Sequence, residues 1–123
     1  MRNLIGKLIT SFVVLSTISS VTAWASNYIL AQETKAFQGN IRKVCGIVDN
    51  VVTDRSNYLL NFRTGKEPSF SALIRENQIP YVGGANFIED LKGKEVCVMG
   101  LINAYADGSQ ISIVDKSQLE VPR

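Results

Sequence analysis

The chain has 123 residues, of which 46% are hydrophobic, with 13 Lys and Arg residues against 11 Asp and Glu residues, two cysteines and no histidine. A chain of this length folds as a single domain. Without histidine there is no Ser-His-Asp or Cys-His catalytic pair and no imidazole metal ligand, and two cysteines are too few for a four-thiolate site. We therefore expect no metal and no cofactor.

Residues 1–25 have the composition of a signal peptide. Arg2 and Lys7 introduce an apolar stretch over 8–24, and the segment ends in Ala-Trp-Ala, which fits the A-x-A cleavage pattern before Ser26. An uncleaved membrane anchor is the alternative, but the stretch is rich in Ser and Thr and short for a transmembrane helix. We expect a periplasmic or secreted protein. Cleavage removes Arg2 and Lys7, so the mature chain has 11 basic residues (13 less these two) and 11 acidic ones. Its net charge therefore gives no argument for a polyanion partner.

The mature chain divides into an N-terminal extension over 26–40, with a helical turn near 32–37, a folded unit over 41–119 and a tail over 120–123. Alternating apolar residues and turn signals in the folded unit predict five strands and one short helix. The strands are expected at 41–52, 57–63, 69–75, 95–105 and 110–114, and the helix at 85–91. Gly46 indicates a bulge or sharp coil in the first strand. The order β-β-β-α-β-β predicts a mainly β fold, a five-stranded OB-fold barrel.

The folded unit also resembles a group of small exported bacterial OB-fold proteins. The resemblance covers roughly 41–119 and rests on five motifs, VCGIV at 44–48, LNF at 60–62, FSALI at 70–74, LKGKEVCVMG at 91–100, and QI at 110–111 followed by DKSQL at 115–119. These motifs are mostly structural, so the resemblance implies the fold, with nucleic-acid binding as an expectation drawn from that fold. Related sequences tend to have a basic residue and a proline in the last hairpin. Here Asp107 and Ser109 stand there, which weakens the phosphate-binding case.

Cys45 and Cys97 are predicted to form a structural disulfide. The first and fourth strands of an OB barrel are antiparallel neighbours, and the alternation places both cysteines on the face opposite the valines. Cross-strand β-carbons lie about 4.5 to 5.5 Å apart, close to the separation that a disulfide needs, and an exported compartment permits oxidation. Two separate buried thiols are the alternative. A redox-active pair is less favoured because the cysteines do not form a C-x-x-C turn.

The expected ligand face is the outer face of the second and third strands. Asn61, Arg63 and Arg75 lie on it in the predicted register, and Lys66 lies in the hairpin between the strands. The three basic residues would form a cluster suited to phosphates, and Asn61 would donate and accept hydrogen bonds. Tyr105, beside the last hairpin, is the candidate stacking residue. A solvated sheet face that binds nothing is the alternative.

Some OB barrels are nucleases, but the acidic residues here are dispersed, without an Asp-x-Asp spacing or a glycine-rich calcium loop, so we do not expect an enzyme. We expect a non-catalytic exported binding module for single-stranded nucleic acid. The alternative is a protein-interaction component of a bacterial envelope or secretion assembly, which charge neutrality and the scarcity of stacking aromatics favour. Oligosaccharide binding is a third hypothesis and would need exposed aromatic residues.

Overall fold

The computed structural model describes residues 27–122, so the predicted signal peptide lies outside the described residues. The described part contains eight strands, β1 (Ile29–Leu30), β2 (Ile41–Asp54), β3 (Asn57–Phe62), β4 (Phe70–Ile74), β5 (Glu95–Leu101), β6 (Asn103–Tyr105), β7 (Gly108–Ser112) and β8 (Leu119–Glu120). The helices are one α-helix, α1 (Ala85–Glu89), and 3-10 helices at Ala31–Phe37, Glu76–Val82 and Lys116–Gln118. None of these helices is long and apolar enough to cross a bilayer.

The strands form a mixed sheet in the order β6-β7-β4-β3-β2-β5-β8, with β1 beside β2. The first half of β2 pairs with β5 and its second half pairs with β3, so this strand belongs to both sides of the barrel. β4 is antiparallel to β3 and parallel to β7. This is the strand arrangement of an OB barrel, and the predicted fold class is confirmed.

The fourth predicted strand, expected as one piece over 95–105, is broken at Ile102. β5 before the break pairs with β2, whereas β6 after it pairs with β7. The prediction of one continuous strand was wrong because the same stretch of chain must leave one neighbour and join another to close the barrel. The break costs no backbone hydrogen bonds at Ile102, whose N–H donates to Asn40 O at 2.9 Å and whose O accepts from Gly39 N at 2.8 Å.

The irregularity of β2 lies at Asp49 rather than at Gly46, where the sequence indicated it. Gly46 pairs in register with Val96, and the register shifts between Val48 and Asn50. Gly46 is needed for close packing instead, because a Cβ there would lie 3.1 Å from the Cβ of Ala31 and 3.2 Å from the Phe62 ring. The glycine therefore lets the first 3-10 helix approach the barrel.

The core lies inside the barrel, and β3 shows the predicted alternation, with Tyr58, Leu60 and Phe62 buried. The largest fully buried side chains are apolar and come from both sides of the barrel and from the helical connection, namely Phe70, Leu60, Ile74, Ile88, Leu91, Ile102, Ile111 and Ile113. The Tyr58 hydroxyl donates a hydrogen bond to Glu89 of α1, and this bond raises the pKa of the phenol. Tyr58 thus ties β3 to the helix.

Residues 27–40 pack against the barrel. β1 runs parallel to β2, and the 3-10 helix that follows buries Ala31 and Thr34. The side-chain amide of Gln38 donates to Gly108 O and to Ser109 Oγ, both at 3.0 Å. This segment consequently joins the start of β2 to the last hairpin.

Candidate functional site

Five polar side chains form a line across the outer face of five adjacent strands, and we call this line the amide row. Asn50 pairs with Asn61, Asn61 with Ser71, Ser71 with Gln110, and Gln110 with Asn103. Residues that pair across strands point to the same face of a sheet, and their chain neighbours such as Leu60 and Ala72 point into the core. Four strand spacings make the row about 19 Å long.

Two hydrogen bonds order the amide row internally. Asn61 Nδ2 donates to Asn50 Oδ1 at 2.8 Å, and Gln110 Nε2 donates to Ser71 Oγ at 3.1 Å. These bonds use one donor or acceptor of each of these four side chains, so the more exposed members, Asn50, Asn61 and Asn103, retain amide donors and acceptors toward solvent. Asn50 and Asn103 are exposed at its two ends, whereas Ser71 and Gln110 are buried at its centre. Such a row can hydrogen-bond to base edges or to sugar hydroxyls.

An apolar row lies beside the amide row, two residues along each strand. It consists of Val52, Leu59 and Leu73, which are successive cross-strand partners. Val52 is exposed, and the two leucines are half-buried. A ligand on the amide row can place the flat face of a ring on this surface.

Arg63 follows Asn61 by two residues and lies at the end of β3 that leads into the hairpin with Lys66. Its guanidinium group is not free, because Nε donates to Asp49 Oδ1 at 3.0 Å and a terminal nitrogen lies 2.9 Å from the same oxygen. Both side chains are about half exposed. The basic group nearest the amide row is therefore already partnered by a carboxylate.

Arg75 lies at the opposite end of the β3–β4 pair from Arg63. Because Tyr58 pairs with Ile74, Arg75 is level with the start of β3, six residues before Arg63. Six residues of extended chain span about 20 Å. The structure thus brings Arg63 and Lys66 to the same end of the pair and does not bring Arg75 into a cluster with them, since antiparallel strands place their C-terminal ends at opposite edges.

Tyr105 stands at the edge of the ligand face. It is two residues from Asn103 on β6, so both side chains lie on one face of that strand, and it is half exposed. Its cross-strand partner is Gly108, where a Cβ would lie only 2.0 Å from Ser69 O. The residue directly opposite Tyr105 on β7 therefore has no side chain.

Cys45 and Cys97 are bonded, which confirms the predicted disulfide. They are direct cross-strand partners of β2 and β5, with Cα atoms 4.0 Å apart. Cys45 also pairs with Leu30 of β1, and Cys97 pairs with Glu120 of β8. The disulfide therefore lies at the middle of a four-stranded part of the sheet, on a different side of the barrel from the amide row.

The sequence alone did not reveal that Asn50, Gln110 and Asn103 extend the ligand face. Each has an outward-facing position in its own strand, but which residues stand side by side depends on register. Lys94 was also missed. Its O accepts from Val48 N at 3.0 Å while Arg63 N donates to Ile47 O at 2.8 Å, so the two basic residues flank the same part of β2. Residues 27–122 contain no group of three or more acidic or cysteine side chains placed to hold a metal ion.

No family model and no curated protein matches the chain. Among solved structures, it is similar to asparaginyl-tRNA synthetase from Pyrococcus horikoshii, with a TM-score of 0.54 and 19% identity over 76% of this chain and 22% of that chain. Aspartyl tRNA synthetase from Entamoeba histolytica gives 0.52 and 14% over 76% and 21%. A chain of the S. pombe Stn1-ten1 complex gives 0.52 and 15% over 66% and 57%. The chain spans about one fifth of each synthetase, and at these identities the likeness shows the OB fold.

Proposed function

We propose that this protein is a non-catalytic OB-fold module that binds single-stranded nucleic acid on the outer face of β3 and β4. The observation that carries the proposal is the amide row. It lies on the face that OB barrels use for oligonucleotides, and it presents hydrogen-bond donors and acceptors at the spacing of the strands. Asn61 is the central ligand residue of the proposal.

Two further features support nucleic acid over a smaller ligand. Arg63 and Lys66 lie beside the row, at the hairpin end of β3 and β4, where they can contact phosphates, and the exposed ring of Tyr105 can stack on a base. Two of the similar solved structures belong to enzymes named for tRNA. The proposal includes no catalytic step, because the chain has no histidine and its acidic residues are dispersed along the sequence.

The proposed place of action is the bacterial periplasm or the exterior of the cell. The Cys45–Cys97 bond supports this location, because structural disulfides persist in oxidising compartments and are rare in the cytosol. Expression of the full-length chain in a bacterium tests it directly. We expect a soluble extracytoplasmic protein whose N-terminal residue is Ser26. Full-length protein retained in the membrane fraction would contradict the proposal of a cleaved signal peptide.

The binding test is fluorescence anisotropy with labelled single-stranded oligonucleotides, using the oxidised protein recovered from that expression. We expect micromolar affinity that falls with salt, with a log–log slope near −1.4 if Arg63 and Lys66 each neutralise about one phosphate. Asn61→Ala and Tyr105→Ala should each weaken binding about tenfold, as expected for a lost base contact or stacking contact. Arg55→Gln, a charge change in the β2–β3 turn at the far end of the sheet, is the matched control. No binding at low salt by folded protein would reject the proposal.

A second candidate, a protein-interaction component of an envelope or secretion assembly, is favoured by a different surface. Ile41 and Leu101 are cross-strand partners on the outer face of β2 and β5, and their exposed fractions are 71% and 46%. Met99, on the same face of β5, is 44% exposed. Apolar side chains that are contiguous and exposed commonly mark a protein contact. An interaction at this face would depend little on salt, unlike phosphate binding.

A further inference from the structure

A pocket of about 220 Å³ opens on the outer face of the sheet formed by β1, β2, β5 and β8. The Cys45–Cys97 disulfide and Gly46 line it, together with Tyr28 and Leu30 at β1 and Pro122 after β8. We propose that this pocket, which we call the disulfide pocket, binds the side chain of a lysine or arginine presented by a partner protein. It shares no residue with the amide row, so it rests on the second candidate function and not on nucleic-acid binding.

The net negative charge of the pocket lining favours a positively charged ligand. Lys43 Nζ lies 3.0 Å and 3.2 Å from the two carboxylate oxygens of Glu120, so these two charges neutralise each other. Glu95 also lines the pocket, is exposed, and forms no ion pair with another residue of the 27–122 range. The remaining charge of the lining is therefore one carboxylate, which a guanidinium or ammonium group complements.

The uncharged part of the pocket suits the aliphatic stem of such a side chain. The disulfide that lines the pocket contributes no charge and no strong hydrogen-bonding group. Leu30 and Tyr28 are each more than 40% exposed and provide apolar surface. Glu95 lies two residues from Cys97 on the same face of β5, about 7 Å along the strand. A long basic side chain can thus place its stem on the disulfide and its charged head at Glu95.

The surface beyond the Lys43–Glu120 pair indicates that the basic group belongs to a protein. Lys43 pairs with Met99, and Glu120 pairs with Cys97, so the ion pair crosses β5 between the disulfide pocket and the apolar side chains of Ile41, Met99 and Leu101. A free amine would use the pocket alone. A partner that presents a basic residue next to apolar ones would cover both surfaces.

The test is a two-dimensional NMR titration of the ¹⁵N-labelled oxidised protein with Nα-acetyl-lysine amide and Nα-acetyl-arginine amide, whose side chains keep their positive charge. The neutral control ligand is acetyl-norleucine amide, which has the stem without the charge. We expect saturable shifts at Tyr28, Leu30, Gly46 and Glu95 with a millimolar Kd for the cations, and affinity for norleucine at least tenfold lower. Equal affinity for the neutral ligand, or an absence of shifts at these residues, would overturn the proposal.

Two matched variants complete the test. Glu95→Gln should weaken cation binding at least fivefold, whereas Glu67→Gln, an equivalent change in the exposed β3–β4 hairpin, should leave it unchanged. The spectra report folding directly, so a loss of binding by an unfolded variant is recognised as such. An unaltered affinity in Glu95→Gln would reject the assigned role of this carboxylate. Oligonucleotide binding should be the same in Glu95→Gln as in the unaltered protein, which separates this proposal from the nucleic-acid proposal.

Discussion

Arg63 and Asp49 form an ion pair at the β2 bulge, with a guanidinium nitrogen 2.9 Å from a carboxylate oxygen. Asp49 is the extra residue of that bulge, so the irregularity of β2 brings an acid to the side chain that the sequence assigns to phosphate binding. In the proposed complex, a phosphate beside Arg63 must compete with the carboxylate. Asp49 therefore limits the affinity that Arg63 can contribute.

Asp49→Asn should increase affinity for single-stranded oligonucleotides about three- to fivefold. The substitution removes a like charge from the path of a phosphate and releases Arg63 from an exposed ion pair, whose strength is at most about 1 kcal/mol. Anisotropy titrations at two salt concentrations measure the effect, and the salt dependence should become steeper. Asp54→Asn, five residues further along at the C-terminal end of β2, is the control. Unchanged or weaker binding in Asp49→Asn would show that Arg63 does not contact the ligand.

Replacing both cysteines by alanine should lower the free energy of unfolding by about 4 kcal/mol. The disulfide closes a loop with a sequence separation of 52 residues, and a cross-link of this span stabilises mainly by restricting the unfolded chain. Urea unfolding of the oxidised protein and of the double variant measures the difference. Equal stability would mean that the four-stranded part of the sheet is held by its hydrogen bonds and core contacts alone.

Gln118→Ala should destabilise the protein by about 2 kcal/mol. The amide nitrogen of Gln118 donates to Met99 O at 2.9 Å and to Ser112 O at 3.1 Å, and its oxygen accepts from Val114 N at 2.7 Å. The side chain thus joins β5 to the end of β7, near the break at Ile102 where the barrel closes. Gln32→Ala, an exposed glutamine in the first 3-10 helix, is the control for urea unfolding. An effect no larger than that of the control would contradict a role in closure.

The stabilising effect of Asp115 should depend on pH. Its carboxylate caps the last 3-10 helix by accepting from Ser117 N at 2.9 Å, and hydrogen bonds from Ser117 lower the pKa of Asp115. A carboxyl with a lower pKa in the folded state contributes stability above its unfolded pKa, about 3.9, and loses that contribution as pH falls through the folded pKa. Asp115→Ala should therefore reduce the urea midpoint near pH 7, and the difference should narrow below pH 4. A difference independent of pH would contradict this account.

The features that depend on local pattern could be predicted from the sequence. The alternation of Tyr58, Leu60 and Phe62 identified their face of β3, because successive side chains of a strand point to opposite sides. The disulfide could also be predicted, since the OB topology makes the first and fourth strands neighbours and the chain has only two cysteines. In both cases the deciding fact lies within one strand or in the strand order.

The features that depend on register and closure could not be predicted. The bulge at Asp49 arises where β2 changes its pairing from β5 to β3, and the break at Ile102 arises where the fourth predicted strand changes its pairing from β2 to β7. No local sequence pattern encodes either change of partner. The same limit applies to the ligand face. Alternation predicts Arg63 and Arg75 on one face, but their separation of about 20 Å follows from the antiparallel pairing of β3 with β4.

Tyr28 and Pro122 both line the disulfide pocket, so the two ends of the described chain meet on the same side of the barrel. Proximity of chain ends permits circular permutation. A short linker from residue 122 to residue 27, with new ends opened at Gly65 in the exposed hairpin, should therefore preserve the barrel. The rearranged protein would display its free ends beside Arg63 and carry a continuous backbone past the disulfide. A fluorophore placed at the new ends would then report directly on events at the amide row.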